Sequence, residues 1–335
     1  LRSGSYADHS KLASGSWYRF SVYDDGVYKL SWTFLRDLGI NMDDLSSDRI
    51  NVYGNHAGLL PYKGSHIPAN DLLANAIEVV DGGDGVFGPN DYILFYASGA
   101  QDWVWNATDA RFEHTKNTYT DSACYFIGLD IEDPERIMST VLSTEPATDQ
   151  VTTFADRQTI DRDLVNLLKS GRTWVGDTYN TLTPTYNYNF SVPNLRSTEP
   201  WCVKIDVLSR TIQPGLSTWN MTVSGQPFSF QDSNITGHYA GPYARQTVKT
   251  FCGTTAANNL QVNVAFDGAD DISSVGWMNF LELNCRRDLR MVGDQLRFRD
   301  PVSMGAGPVG EFTVAQASSV TRIWDITVPW SASSV

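Results

Sequence analysis

The chain has 335 residues, of which 41% are hydrophobic and 19% charged, and its net charge of −13 gives a pI near 4.7. That acidity excludes general nucleic-acid binding, which draws its affinity from Lys and Arg displacing counterions on phosphate. No run approaches the roughly 18 consecutive apolar residues of a membrane-spanning helix, and the polar start LRSGSYADHS has no apolar signal core. The sequence therefore reads as soluble, with any export signal removed before Leu1.

The length favours two domains of roughly 150 residues. Fifteen Tyr, 15 Phe and 10 Trp suit pleated sheets better than charged helices, so a mainly β fold with one or two short helices is expected. Residues 1–13 read as a flexible leader and 14–145 as an N-terminal β domain. Within it, WYRFSVYDDGVYKLSW alternates apolar and polar residues around Asp25-Gly26, which predicts a hairpin. Ser31 then caps a short helix that turns Phe34, Leu35 and Leu38 inward and stops at Gly39. RINVYG and LLPY predict strands around residues 54–58, and NAIEVVD and DYILFYASG predict strands flanking an acidic, glycine-rich loop.

Between 146 and 160 the composition shifts to Ser, Thr, Glu, Pro, Asp and Gln, the texture of a linker. The second domain, 161–335, is expected to open with a helix. Ile160, Leu164, Leu167 and Leu168 fall at helical spacing, acids occupy the first turn, and Gly171 supplies a stop. Strand faces follow: Trp201, Val203, Ile205 and Val207; Trp219, Met221 and Val223; Leu260, Val262, Val264 and Phe266. In MNFLELNCRRDLRM, Leu281, Leu283, Cys285, Leu289 and Met291 share one face and Glu282, Asn284, Arg286, Asp288 and Arg290 the other. With LRFRD, EFTVA and RIWDITV after it, this domain reads as a jelly-roll or immunoglobulin-like sandwich.

Gly83-Asp84-Gly85-Val86-Phe87-Gly88 matches a dinucleotide loop in letters only, since Pro89-Asn90-Asp91 and a strand follow where a helix must start. Asp81, Asp84, Asn90 and Asp91 offer hard oxygens for calcium but not at EF-hand spacing. No cofactor or metal is expected. Cys124, Cys202, Cys252 and Cys285 lack zinc spacing, and leave both disulfides and buried thiols open. A thiolate nucleophile needs a base, for which His9, His56, His66, His114 and His238 are available. His114 with Cys124 and His238 with Cys252 have the His-before-Cys order of caspase-like peptidases without the small residues an oxyanion hole requires. No catalytic residue is therefore assigned.

Two groups remain as contact candidates for a partner or glycan. Trp103 and Trp105 share one face of a polar segment. Arg286, Arg290 and Arg297, with Arg287 and Arg299, form a basic cluster suited to an anionic polysaccharide or acidic partner, or else to ion pairs with Asp288, Asp294 and Asp300.

Taken in order, GSWYRFSVYDDGVYKLSWTFLRDLGI, RINVYGNHAGLLP, NDYILFYASG, DRDLVNLLKSGRTWVGD, LNCRRDLRMVGDQLRFRD and RIWDIT resemble the N-terminal region of the type IX secretion system sortases. These are gingipain-type cysteine peptidases that remove C-terminal secretion signals from cargo and attach the cargo to anionic lipopolysaccharide. The resemblance implies a noncatalytic docking or supporting region, at the outer-membrane surface after periplasmic transit. The partners it implies are an outer-membrane β-barrel protein, a downstream peptidase domain of the same polypeptide, secreted cargo, and anionic lipopolysaccharide. The family's catalytic His and Cys match no position here. Two alternatives are an inhibitory prodomain of a gingipain-like protease and a surface glycan-binding module.

Overall fold

The computed structural model describes residues 7–56, 58–59, 71–169, 171, 173–269, 271–303 and 309–335. His66 and most of the strand expected at 59–62 lie outside them. The chain divides into two compact units: Leu1–Trp103, Thr115–Thr144 and Ser318–Val335 form the first, and Val104–His114 with Glu145–Ala317 form the second. No described helix is long and apolar enough to cross a membrane, which says nothing of strands.

The first unit begins with β1 (Ser16–Val22), β2 (Gly26–Ser31) and an α-helix, α1 (Trp32–Asp37), the one α-helix among the described residues. It continues through β3 (Ile50–Tyr53), β4 (Ala74–Asn75), β5 (Ile77–Val80) and β6 (Tyr92–Ala97), then the pair β7 (Gln101–Asn106) and β8 (Arg111–Lys116), whose residues Val104–His114 belong to the second unit, and β9 (Ala123–Leu129). Ser31 caps α1 as expected, its Oγ accepting the Phe34 N–H at 3.2 Å, and Leu35 is fully buried. The expected hairpin at Asp25-Gly26 is corrected. β1 pairs with β9 and β2 with β6, so the bend carries the chain from one sheet, β1-β9-β3-β4, to another, β2-β6-β5. Asp25 is committed elsewhere, its Oδ1 accepting the Gly99 N–H at 3.0 Å. One core serves both sheets: Phe20 and Val22 meet Phe95, Tyr125, Ile127 and Leu35. β5 and β6 pair as a hairpin around the acidic loop, where Asp81, Asp84 and Asp91 accept the backbone N–H groups of Gly83, Val86 and Gly88.

The second unit comprises β10 (Asp149–Val151), β11 (Thr153–Asp161), β12 (Val165–Asn166), β13 (Trp174–Val175), β14 (Thr178–Tyr179), β15 (Thr185–Ser191) and β16 (Trp201–Arg210). Then come β17 (Leu216–Val223), β18 (Gln226–Ser233), β19 (Arg245–Gly253), β20 (Asn259–Asp267), β21 (Val275–Asp288) and β22 (Gly310–Phe312). β11-β21-β16-β19, with β14 on β21, form one sheet, and β15-β20-β17-β18 form the other. Alternation drives the packing: Trp201, Val203, Ile205 and Val207 of β16 are fully buried against Trp219 and Val223 of β17 and Leu260 and Val264 of β20. This is the expected sandwich. A single disulfide, Cys202–Cys252, links opposed residues of β16 and β19, while Cys124 and Cys285 are free.

The helix expected from Ile160 to Gly171 is corrected. Residues 153–161 form β11, paired with β21 from Thr153↔Asp288 to Asp161↔Phe280, and the segment read as a linker thus carries β10 and most of β11. Leu164 and Leu168 are 59% exposed, whereas Val165 and Leu167 turn toward a small cluster of Val175, Leu208 and Trp277. Residues 296–300, expected as a strand, form none.

Gly276 on β21 lies where a Cβ would come within 2.7 Å of the Trp219 indole and 3.0 Å of Phe266. Gly276→Ala is expected to lower the stability of the second unit by about 2 kcal/mol through overpacking, measured by urea unfolding followed by tryptophan fluorescence.

β23 (Trp324–Asp325) and β24 (Ser333–Ser334) pair with each other and return to the first unit. There Arg322 forks onto Glu78 at 2.7 Å and the Ala76 N–H donates to Trp330 O.

Candidate functional site

The face of β21 turned away from the core carries Glu282 and Asn284, and Phe112 and His114 of the 104–114 segment lie on it. The Asn284 side chain acts as a piece of strand: its Oδ1 accepts the Phe112 N–H at 2.7 Å and its Nδ2 donates to Phe112 O at 2.9 Å. Two residues earlier, Glu282 Oε2 accepts the His114 backbone N–H at 2.9 Å and lies 2.8 Å from His114 Nδ1. The other ring nitrogen, Nε2, lies 3.0 Å from Asp161 Oδ2 of β11. The His114 and Glu282 side chains are each 2% exposed and that of Asp161 9%.

Aromatic rings close the arrangement. Phe280 stands edge-on to the imidazole at 4.5 Å, the Arg157 guanidinium sits 4.2 Å from the Phe112 ring centre, and Trp105 meets Phe112 edge-on at 5.0 Å. Burial disfavours the charged imidazole, but the bonds from Asp161 and Glu282 outweigh it and hold the His114 pKa above its ordinary value.

Beside this cluster is a cleft of about 50 Å³ lined by Asp109, Arg111, Glu113, Lys204, Glu282 and Asn284, with Cys202 among its walls. Its charges lean on each other, Arg111 on Asp109 and Lys204 on Glu113, both at 3.5 Å.

The two His–Cys pairs noted in the sequence do not supply a dyad. Cys252 is in the disulfide, so it offers His238 no thiol. His114 has both ring nitrogens on carboxylates. Cys285 is buried, which pushes its thiol pKa up and away from thiolate. His56, in the first unit, bonds through its ring to Asn75, Ser98 and Tyr125, and burial lowers its pKa.

The proposed contact residues fall in different places. Trp103 is half-buried on β7 in the first unit, and Trp105 is half-buried in the second. Arg286 binds Asp300 at 2.8 Å and Thr153 Oγ1 at 2.6 Å, and Arg287 binds Asp156 at 2.9 Å and Pro193 O at 2.7 Å. Arg290 and Arg297 are exposed beyond the end of β21. Sequence reasoning missed the His114–Asp161–Glu282 cluster. The available signal was an acid, Glu282, between two leucines in the longest strand.

No protein-family model matches the sequence, and no curated protein does. Among solved structures, the crystal structure of dimeric latent PorU from Porphyromonas gingivalis matches 98% of this chain with a TM-score of 0.79 at 22% identity. The chain has a PorU-like fold. It spans 30% of the PorU chain's length. A carbohydrate-binding module of family 36 in complex with calcium and xylotriose matches 38% of this chain and 98% of its own at 15% identity, with a TM-score of only 0.25. A family 35 module from Clostridium thermocellum covers 38% of this chain and 90% of its own at 12% identity and the same score. Scores that low carry nothing over to this chain, whereas the PorU match extends through both units.

Proposed function

We propose that this chain is the noncatalytic N-terminal part of a PorU-like type IX secretion sortase. In this reading it is exported to the outer-membrane surface, docks on an outer-membrane β-barrel protein, and supports a peptidase domain elsewhere in the same polypeptide. That domain trims C-terminal signals from secreted cargo and attaches the cargo to anionic lipopolysaccharide. The observation that carries the reading is the PorU likeness over 98% of this chain against 30% of the PorU chain. Two stacked-sheet units also suit a support, because rigid strands hold contact loops in fixed positions.

Residues 1–335 incubated with cargo bearing its intact C-terminal signal are expected to leave the cargo uncut and to retain the barrel partner in a pull-down. Cargo cleavage by this chain alone overturns the reading. The PorU structure is of a latent form, which favours a second reading in which this chain restrains the peptidase. Titrating it onto its cognate peptidase separates the two: unchanged turnover supports docking, and inhibition supports restraint.

A further inference from the structure

The covering segment 104–114 is held on the second unit's sheet by a cluster whose hydrogen bonding depends on a proton. Both ring nitrogens of His114 face carboxyl oxygens, Glu282 Oε2 at 2.8 Å and Asp161 Oδ2 at 3.0 Å. An ionised carboxylate only accepts hydrogen bonds, and a neutral imidazole has one donor nitrogen and one acceptor. Both contacts are therefore satisfied together only when the imidazole carries two protons or a carboxyl carries one. In either case the three groups bear a net charge of −1. Removing the shared proton leaves two buried carboxylates and a neutral ring, with one lone pair set against another.

We propose that His114 is a proton-operated latch, which in its protonated state fastens residues 104–114 over β21 and on losing the proton lets them lift.

Every element around the ring bears on this. β11 contributes Asp161 and Thr159, whose Oγ1 lies 3.4 Å from Nε2, and also Arg157, whose guanidinium sits over Phe112. β21 contributes Glu282 and the Phe280 edge. β16 contributes Lys204, 5.9 Å from the Phe280 ring centre and paired with Glu113 of the latch segment itself. Asp206, also on β16, is buried and adds unfavourable negative charge toward Asp161. Within the segment, Arg111 is turned to Asp109. Of the other fastenings, the Asn284 bonds to Phe112 are between neutral groups, the backbone bond of His114 needs an ionised Glu282, and the Lys204–Glu113 pair and the Arg157–Phe112 contact rest on cations remote from the shared proton, so the imidazole between its two carboxyls is the group that senses rising pH.

The sign follows from the raised pKa of the folded state. The stabilisation is complete below the ordinary imidazole value of 6.5 and is lost as pH rises through the higher folded value.

The test is nitrogen NMR of His114 in the 335-residue chain, with amide hydrogen exchange of Phe112 and His114 corrected for intrinsic base catalysis. The expected result is a doubly protonated ring at pH 7, a titration midpoint above 6.5, and protection that falls about tenfold for each pH unit between 6.5 and that midpoint and levels off above it. His114→Gln is expected to give weak protection that no longer changes with pH, and Glu282→Gln is expected to lower the His114 midpoint while the fold persists. A singly protonated ring at pH 7, or protection that is flat with pH in the unsubstituted chain, overturns the latch.

Discussion

Trp219→Ala is expected to destabilise the second unit by about 4 kcal/mol, within the usual range for removing a buried aromatic from a core. Trp219 is fully buried between the sheets, edge-on to Tyr179 at 5.0 Å, tilted against Phe266 at 4.7 Å and stacked on Phe230 at 6.5 Å. Collapse into the void is blocked by the close β21 backbone at Gly276 on one side and by these rings on the other. The loss also strands polar groups. Trp219 Nε1 donates to Ser209 Oγ at 2.8 Å, and Ser209 in turn donates to the buried Asp232 carboxylate at 2.6 Å. Trp219→Phe should therefore recover most of the packing but not the hydrogen bond, leaving a deficit of about 1 kcal/mol. Equilibrium urea unfolding of the two variants checks both figures, and equal stability of Trp219→Ala and the unsubstituted chain would refute the account.

Opening the Cys202–Cys252 bridge is expected to cost a similar amount. The bond joins residues 50 apart in sequence, and closing a loop of that length restricts the unfolded chain by about 4 kcal/mol. For a unit of this size that corresponds to a fall in Tm on the order of 10 °C. The bridge closes β16 onto β19, at one side of the sheet whose other member strands are β11, β14 and β21. Reductant should lower the Tm of the unsubstituted chain and leave that of the Cys202→Ala, Cys252→Ala double variant unchanged, as read by differential scanning calorimetry. A drop in both would place the effect elsewhere.

The sandwich was legible because its strands alternate cleanly. Trp201 to Val207, Trp219 to Val223 and Leu260 to Phe266 each present an apolar residue every second position, and those residues are the buried ones. α1 was legible because its cap, its apolar face and its glycine stop lie within nine residues of each other in sequence. What failed was whatever depended on distant partners. Ile160, Leu164, Leu167 and Leu168 have helical spacing, yet β21 offers residues 153–161 a full antiparallel ladder, and that pairing overrides local periodicity. The Asp25-Gly26 turn was read as joining neighbours because turn chemistry gives no information on whether the flanking strands pair with each other. The alternation that located Leu281 and Leu283 also put Glu282 on the opposite face, but it gave no sign that this face is buried there. Its cover comes from Phe112 to His114, some 170 positions earlier in sequence. No local pattern reports such a partner, so the His114 cluster emerges only in three dimensions.

The chain crosses between its two units more than once: it leaves the first at Trp103, comes back at Thr115, departs again after Thr144 and returns at Ser318. A ribosome therefore delivers the closing piece of the first unit last, after the whole sandwich has emerged. During synthesis the earlier sheets must wait, with Glu78 lacking Arg322 and Ala76 lacking Trp330, while the later-made unit is already free to fold. The first unit is thus complete only once the residues of the second have been made.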